Sequence, residues 1–176
     1  MSAKLNRIYG NPGSAKRPNP AWQKTCLRTM KLPYKMRIAW NTSQTVTTCQ
    51  VHYKVLPYLE AALWDLYNYV RKLVKAEHGY NLSTEAYDTL TAAKLRELGL
   101  DLFGGTYCHR LVRGGTELST HAYGCAIDLD PKHNPLGKVG RIAKSQMWVV
   151  EIFRKRGFTW GGVWKRKDGQ HFEKTD

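Results

Sequence analysis

No aspartate or glutamate occurs before Glu60, while ten lysines and arginines fall in those first 59 residues. The rest of the 176-residue chain carries all 14 acids against 18 basic side chains, and the whole has a net charge of +14. Such one-sided charge argues against a cationic partner. It points to a polyanion (nucleic acid, anionic lipid or an anionic cell wall) or to a basic surface that is simply solvated. Cysteine is sparse as well. Cys26, Cys49, Cys108 and Cys125 show no C-x-x-C spacing, which argues against a zinc ribbon, a thioredoxin-type motif and a disulfide-dense scaffold, and leaves reduced, core-filling thiols. There is no run of 18 apolar residues, so no transmembrane helix is expected. The first residues lack the apolar core of a secretory signal, and the expected location is the cytoplasm. No internal repeat or low-complexity stretch is visible. With 42% hydrophobic and 24% charged residues, the chain is long enough to bury a core as one domain.

Prolines and glycines crowd residues 1–21 (Gly10, Pro12, Gly13, Pro18, Pro20), and an irregular, extended arm is expected there. Residues 36–40 and 45–53 are rich in β-branched and aromatic side chains and are strand candidates. After Pro57 the apolar residues Leu59, Leu63, Leu66, Val70 and Leu73 recur in steps of four and three, one stripe on a helix that Gly79 is placed to stop. A second helix is expected from Ser83 or Thr84 to Leu98, ending at Gly99. Beyond it the texture changes to short strands: Leu102 to Arg110, interrupted by Gly104-Gly105, then Cys125 to Leu129, 157–160 and 170–173. A helix over 145–156 lies among them. Helices early and short strands late predict an α+β domain.

Within this second half, His121 and Asp128 stand seven residues apart in Ser119-Thr-His-Ala-Tyr-Gly-Cys-Ala-Ile-Asp128. Asp128 closes a short apolar run, where a carboxylate needs a partner. A metal ion is one such partner. A catalytic zinc site takes three His or acidic ligands and keeps one position for water. His171, in a strand-like run near the end, is the best third ligand. A base is also needed, and both Asp168, three residues before His171, and Glu173, two after it, are within reach by spacing. Asp130 serves equally as a carboxylate behind the ligands or as the cap of the following turn. An arginine suits the developing oxyanion or a substrate carboxylate, and Arg110 and Arg113 are both near.

These residues carry a resemblance. Ser119-x-His121-x-x-Gly124-x-Ala126-x-Asp128, followed far downstream by Asp168-x-x-His171, resembles the zinc D-alanyl-D-alanine carboxypeptidase and L-alanyl-D-glutamate endopeptidase family, which includes VanY-like carboxypeptidases and phage endolysins. Gly104-Gly-Thr-Tyr-Cys-His-Arg110 is similar to that family's Gly-x-Tyr-x-x-Arg region, and Asn134-Pro135 and Gly157-Phe-Thr-Trp-Gly-Gly162 resemble its endolysin branch. The likeness covers about Leu102 to Glu173. It implies Zn2+ held by His121, Asp128 and His171, Asp168 as general base, Arg110 on the scissile carbonyl, and Ser119 against substrate or bracing its loop. It implies a small antiparallel sheet with flanking helices carrying the zinc site, a DD-peptidase/Hedgehog-like fold. The expected organisation is one zinc peptidase domain over 1–176, with 102–173 as catalytic core and 1–50 as a basic extension packed on it.

The function so implied is cleavage of the peptidoglycan stem peptide by a monomeric phage endolysin, at the L-alanyl-D-glutamate bond, with D-alanyl-D-alanine carboxypeptidase activity as the alternative. The enzyme would be made in the host cytoplasm and act on the wall after release, the basic N-terminal region meeting anionic wall or outer-membrane surfaces. A reading of another class is a basic nucleic-acid-binding protein with a structural His/Asp cluster. The acid-free first third favours it, but no helix-turn-helix, zinc-finger or RNA-recognition signature accompanies it.

Overall fold

The apolar stripe after Pro57 becomes the longest helix of the computed structural model, which describes residues 2–176. This helix, α3 in chain order, spans Leu56–His78 and buries Leu59, Leu63, Leu66 and Val70. Val74, rather than the expected Leu73, continues the buried face. Gly79 ends the helix with φ at +80°. The next helix, α4 (Thr84–Leu98), has the expected ends: the Ser83 side chain accepts the Ala86 N–H, and Gly99 turns left-handed at its C-terminus.

The expected irregular arm is more ordered than its composition suggests. It contains α1 (Ser2–Tyr9), the two-residue strands β1 (Gly13–Ser14) and β2 (Arg17–Pro18), and α2 (Pro20–Cys26). Helix α1 anchors through Leu5 and Tyr9, both buried. Asn19 caps α2 by accepting the Trp22 N–H, with Pro20 in its first turn. The strand candidates that follow are longer than expected: β3 (Leu27–Ile38) and β4 (Asn41–His52) form an antiparallel hairpin. Their register shifts between Lys31 and Met36, where Pro33 lacks an N–H to give to the ladder.

The remaining strands are short: β5 (Leu102–Gly105), β6 (Ala126–Leu129), β7 (Thr159–Trp160) and β8 (His171–Glu173). All six from β3 onward join one sheet in the order β4-β3-β5-β6-β8-β7. The fold is α+β, but the sheet is neither small nor wholly antiparallel, because β3 and β5 pair in parallel. Arg37 locks that junction with a bidentate pair to Asp101, at 2.5 and 2.9 Å. The strand expected to run to Arg110 stops at Gly105, and the chain leaves the sheet there. The helix expected over 145–156 is split at Gln146 into α5 (Arg141–Ser145) and α6 (Met147–Lys155).

Helix α3 packs across β3 and against α4 and α6. Leu59, Leu63, Leu66 and Val70 of this helix, Met30 and Met36 of β3, Ile127 of β6, Phe153 of α6 and Phe172 of β8 all belong to one apolar core. The stretch 1–50 contributes to that core through Leu5, Met30, Met36 and Cys49, so it supplies sheet and core as well as surface. All four cysteines are free thiols. No helix among the described residues is long and apolar enough to cross a membrane.

Candidate metal centre and its cleft

Local chemistry places His121. Ser119 caps a single 3-10 turn, Thr120–Tyr123, its hydroxyl accepting the His121 N–H. Gly124 ends the turn with φ at +64°. A Cβ at Gly124 would lie 2.8 Å from the backbone nitrogen of His52, and the Gly124 carbonyl accepts that same N–H at 2.9 Å. Only glycine fits both the angle and the approach. The turn thus leans on the end of β4, and the chain then enters β6 with Asp128 pointing into the cleft.

Strand pairing places His171. β6 and β8 are antiparallel, and Asp128 stands directly opposite His171, so the two side chains share one face. The three candidate ligand atoms make a small triangle. His171 Nδ1 is 2.8 Å from Asp128 Oδ1, His121 Nε2 is 3.2 Å from the same oxygen, and the two ring nitrogens are 3.2 Å apart. Tetrahedral zinc with bonds of about 2.1 Å separates its ligand atoms by about 3.4 Å. The triangle is close to that size, and the donor set of two imidazoles and one carboxylate suits the ion.

The far side of each imidazole is held as a metal ligand requires. The His121 Nδ1–H donates to the Thr106 carbonyl at 2.7 Å, and the Thr106 hydroxyl donates to the Gln50 carbonyl of β4. The His171 Nε2–H donates to Glu173 Oε2 at 3.1 Å, with the Thr120 hydroxyl 3.2 Å from the same nitrogen. Burial by itself would lower the basicity of His171. The hydrogen bonds to Asp128 and Glu173 outweigh it and raise the pKa to about 9. Burial likewise opposes ionisation of Asp128, and its hydrogen bonds with His121 and His171 overcome this, holding the carboxyl far below the usual range. Asp128 is thus held ionised between two imidazoles whose orientations are fixed from behind.

The triangle lies in the wall of a cleft of about 1190 Å³, which Arg110, Ser119 and Asp168 also line. Every residue expected from the sequence is therefore brought to one place. Asp168 sits in the loop before β8. Its backbone N–H donates to the Gly161 carbonyl, and a side chain at Gly161 would collide with the Asp168 carbonyl. Burial raises the Asp168 carboxyl pKa, with the charge of His171 opposing. Arg110 is fixed through its backbone: its carbonyl accepts the Ser119 N–H, and a bridge between Leu111 and Leu118 closes the loop beyond.

Two alternatives left open by spacing are now distinguished by position. Glu173 bonds the rear nitrogen of His171, whereas the Asp168 side chain accepts a hydrogen bond from Gln170. Asp130 is the turn cap and does not stand behind the ligands. It is buried with φ at +48°, and it pairs with His133 at 2.6 Å and with Asn134. Arg113 lines the cleft as Arg110 does, so lining alone does not separate them. Sequence reasoning missed Thr106, whose contribution is a backbone carbonyl, and Trp164, whose ring lies 5.4 Å from that of His171. The Gly-Gly-Thr run at 104–106 was the available signal for the first.

Comparison with known proteins adds one finding. Residues 113–174 match the family model described as D-alanyl-D-alanine carboxypeptidase. That stretch contains all three candidate ligands, both nearby acids and Ser119, and leaves Arg110 and the first third of the chain outside. It supports a peptidase of this family. No curated protein and no solved structure matches the chain.

Proposed function

We propose that the protein is a zinc-dependent peptidase that cuts the stem peptide of bacterial peptidoglycan. The observation that carries this reading is the triangle of His121 Nε2, Asp128 Oδ1 and His171 Nδ1, with edges of 2.8 to 3.2 Å, opening into a cleft that also contains Asp168. Bound there, Zn2+ would supply Lewis acidity, bringing the pKa of water toward neutrality and polarising a carbonyl. The residues supply the rest. Asp168, its carboxyl made more basic by burial, takes a proton from the attacking water and returns it to the leaving amine. Arg110 holds the scissile carbonyl and stabilises negative charge on its oxygen. Ser119 keeps His121 in place and offers a polar edge to substrate. Glu173 and the Thr106 carbonyl fix the two imidazoles.

Within this reading the protein acts as a monomeric phage endolysin, at the L-alanyl-D-glutamate bond, after release from the host cytoplasm. The acid-free first third supports a role at an anionic wall or outer-membrane surface. Gln23 bonds the hydroxyl of Tyr107, and His109 bonds the Ser14 carbonyl; Tyr107 lines the cleft, so α2 and its neighbours flank the same opening. Trimming of terminal D-alanine is the competing specificity. Mass spectrometry of digested purified peptidoglycan separates them: new amino groups on D-glutamate mark the endopeptidase, free D-alanine the carboxypeptidase. Replacing His121 or His171 by Ala is expected to remove both bound zinc and wall lysis while leaving the circular dichroism spectrum unchanged. Full lysis by chelated, metal-free protein would refute the metal mechanism.

A further inference from the structure

Several cations of this fold meet carboxylates: Arg71 pairs with Asp88, Lys94 with Glu77 and Glu97, Arg156 with Asp65, and Arg37 with Asp101. Around the mouth of the cleft they do not. Arg113, Lys132, Lys165 and Arg166 line it, all exposed, and none of the four makes an ion pair among the described residues. They come from three separate loops. Two of those loops are tied together, because an Arg166 guanidinium nitrogen donates to the Arg113 carbonyl at 2.9 Å. That bond uses one donor and leaves the charge of both residues unneutralised. The acids that line the same cleft have other roles: Asp128 and Glu173 are engaged by His171, and Asp168 has the candidate role of base.

Cations gathered at one opening repel each other and have few protein acids to satisfy them. An anionic ligand that entered would relieve this, and the low-dielectric walls of a cleft would focus the field on it. On the peptidase reading the cleft takes a peptide, so the anion arrives as part of one. Arginine's fork suits a carboxylate in two-point contact, and the lysines add point charge.

We propose that this rim makes the cleft selective for peptides with free carboxylates on either side of the cut bond, read by Arg113, Lys132, Lys165 and Arg166. The proposal rests on the peptidase reading for the kind of chain bound. It adds that the same peptide with its carboxylates amidated is a poor ligand. Each exposed contact is individually weak, and several acting on one peptide give a preference of about tenfold or more.

The test uses two synthetic stem peptides of one sequence, with carboxylates either free or amidated. Zinc-loaded, full-length Asp168→Asn protein is titrated with each by calorimetry. The free acid is expected to bind about tenfold or more tightly, with the margin shrinking as salt rises. In the added Arg113→Ala/Lys132→Ala/Lys165→Ala/Arg166→Ala background, whose altered side chains are exposed, the margin is expected to fall to about twofold or less. Equal binding of the two peptides overturns the proposal. So does a preference that survives the fourfold replacement, because other residues would then be reading the carboxylates. Cleavage by the wild-type protein is scored separately. A retained binding preference with no cleavage of either peptide would count against the peptidase reading and leave the rim assignment standing.

Discussion

Strands β3 and β4 run for twelve residues each, whereas the four strands that carry or flank the site, β5 to β8, run for two to four. The long hairpin exposes most of β4 and buries residues only at intervals. Strand β8 buries all three of its residues, and two of them, His171 and Glu173, serve the candidate centre. In the hairpin, stability is spread over many backbone hydrogen bonds and no single side chain dominates. In the short strands nearly every side chain is either core or chemistry. Replacements should therefore be costly in the short strands and mild on the exposed face of the hairpin.

With the candidate ligands intact, the largest effect is expected at the acid. Asp168→Asn is expected to slow wall lysis by about 10²- to 10⁴-fold, the usual contribution of a general base, with zinc content by elemental analysis unchanged. Retained activity would move the base elsewhere. Next comes Glu173→Gln, which keeps the shape but weakens the hold on His171. Zinc affinity, measured by competition with a chromogenic chelator, is expected to fall about 10- to 100-fold. Unchanged affinity would mean that Thr120 alone fixes that ring. Gly124→Ala tests where the two regions meet. Its Cβ would press on the His52 nitrogen at a positive φ, and a loss of about 1 to 3 kcal/mol in urea unfolding is expected. Thr47→Ala, exposed in the middle of β4, is expected to change stability by less than about 0.5 kcal/mol and lysis not at all. A large effect there would end the contrast.

The same contrast explains what could be read in the residues alone. Helices α3 and α4 were legible with their caps because a 3.6-residue stripe and a terminal glycine are local signals. The candidate ligands could be picked out because His, Asp and His stand at a spacing that resembles a zinc peptidase motif. Helix α1 was not, since only Leu5 and Tyr9 bury and the surrounding glycines and prolines mask so short a pattern. Helix α2 could have been found from Asn19-Pro20, a cap followed by a first-turn proline. The full length of the hairpin was hidden by its polar outer face and by Pro33 inside β3. The dependence of His121 on β4 runs through the Thr106 and Gln50 carbonyls, and backbone atoms leave no trace in residue type.

Asp128 and His171 are 43 positions apart in the chain yet meet as direct partners across two short strands. This sets which changes in chain length the protein can tolerate. Residues added or removed in the exposed bend at 137–139 alter the connection without altering which residues face each other. A single residue inserted between Ala126 and Asp128, or between His171 and Glu173, would turn the following side chains to the opposite face of the sheet. Relatives of this chain should accordingly differ freely in the spacing between the two motifs and hardly at all within them.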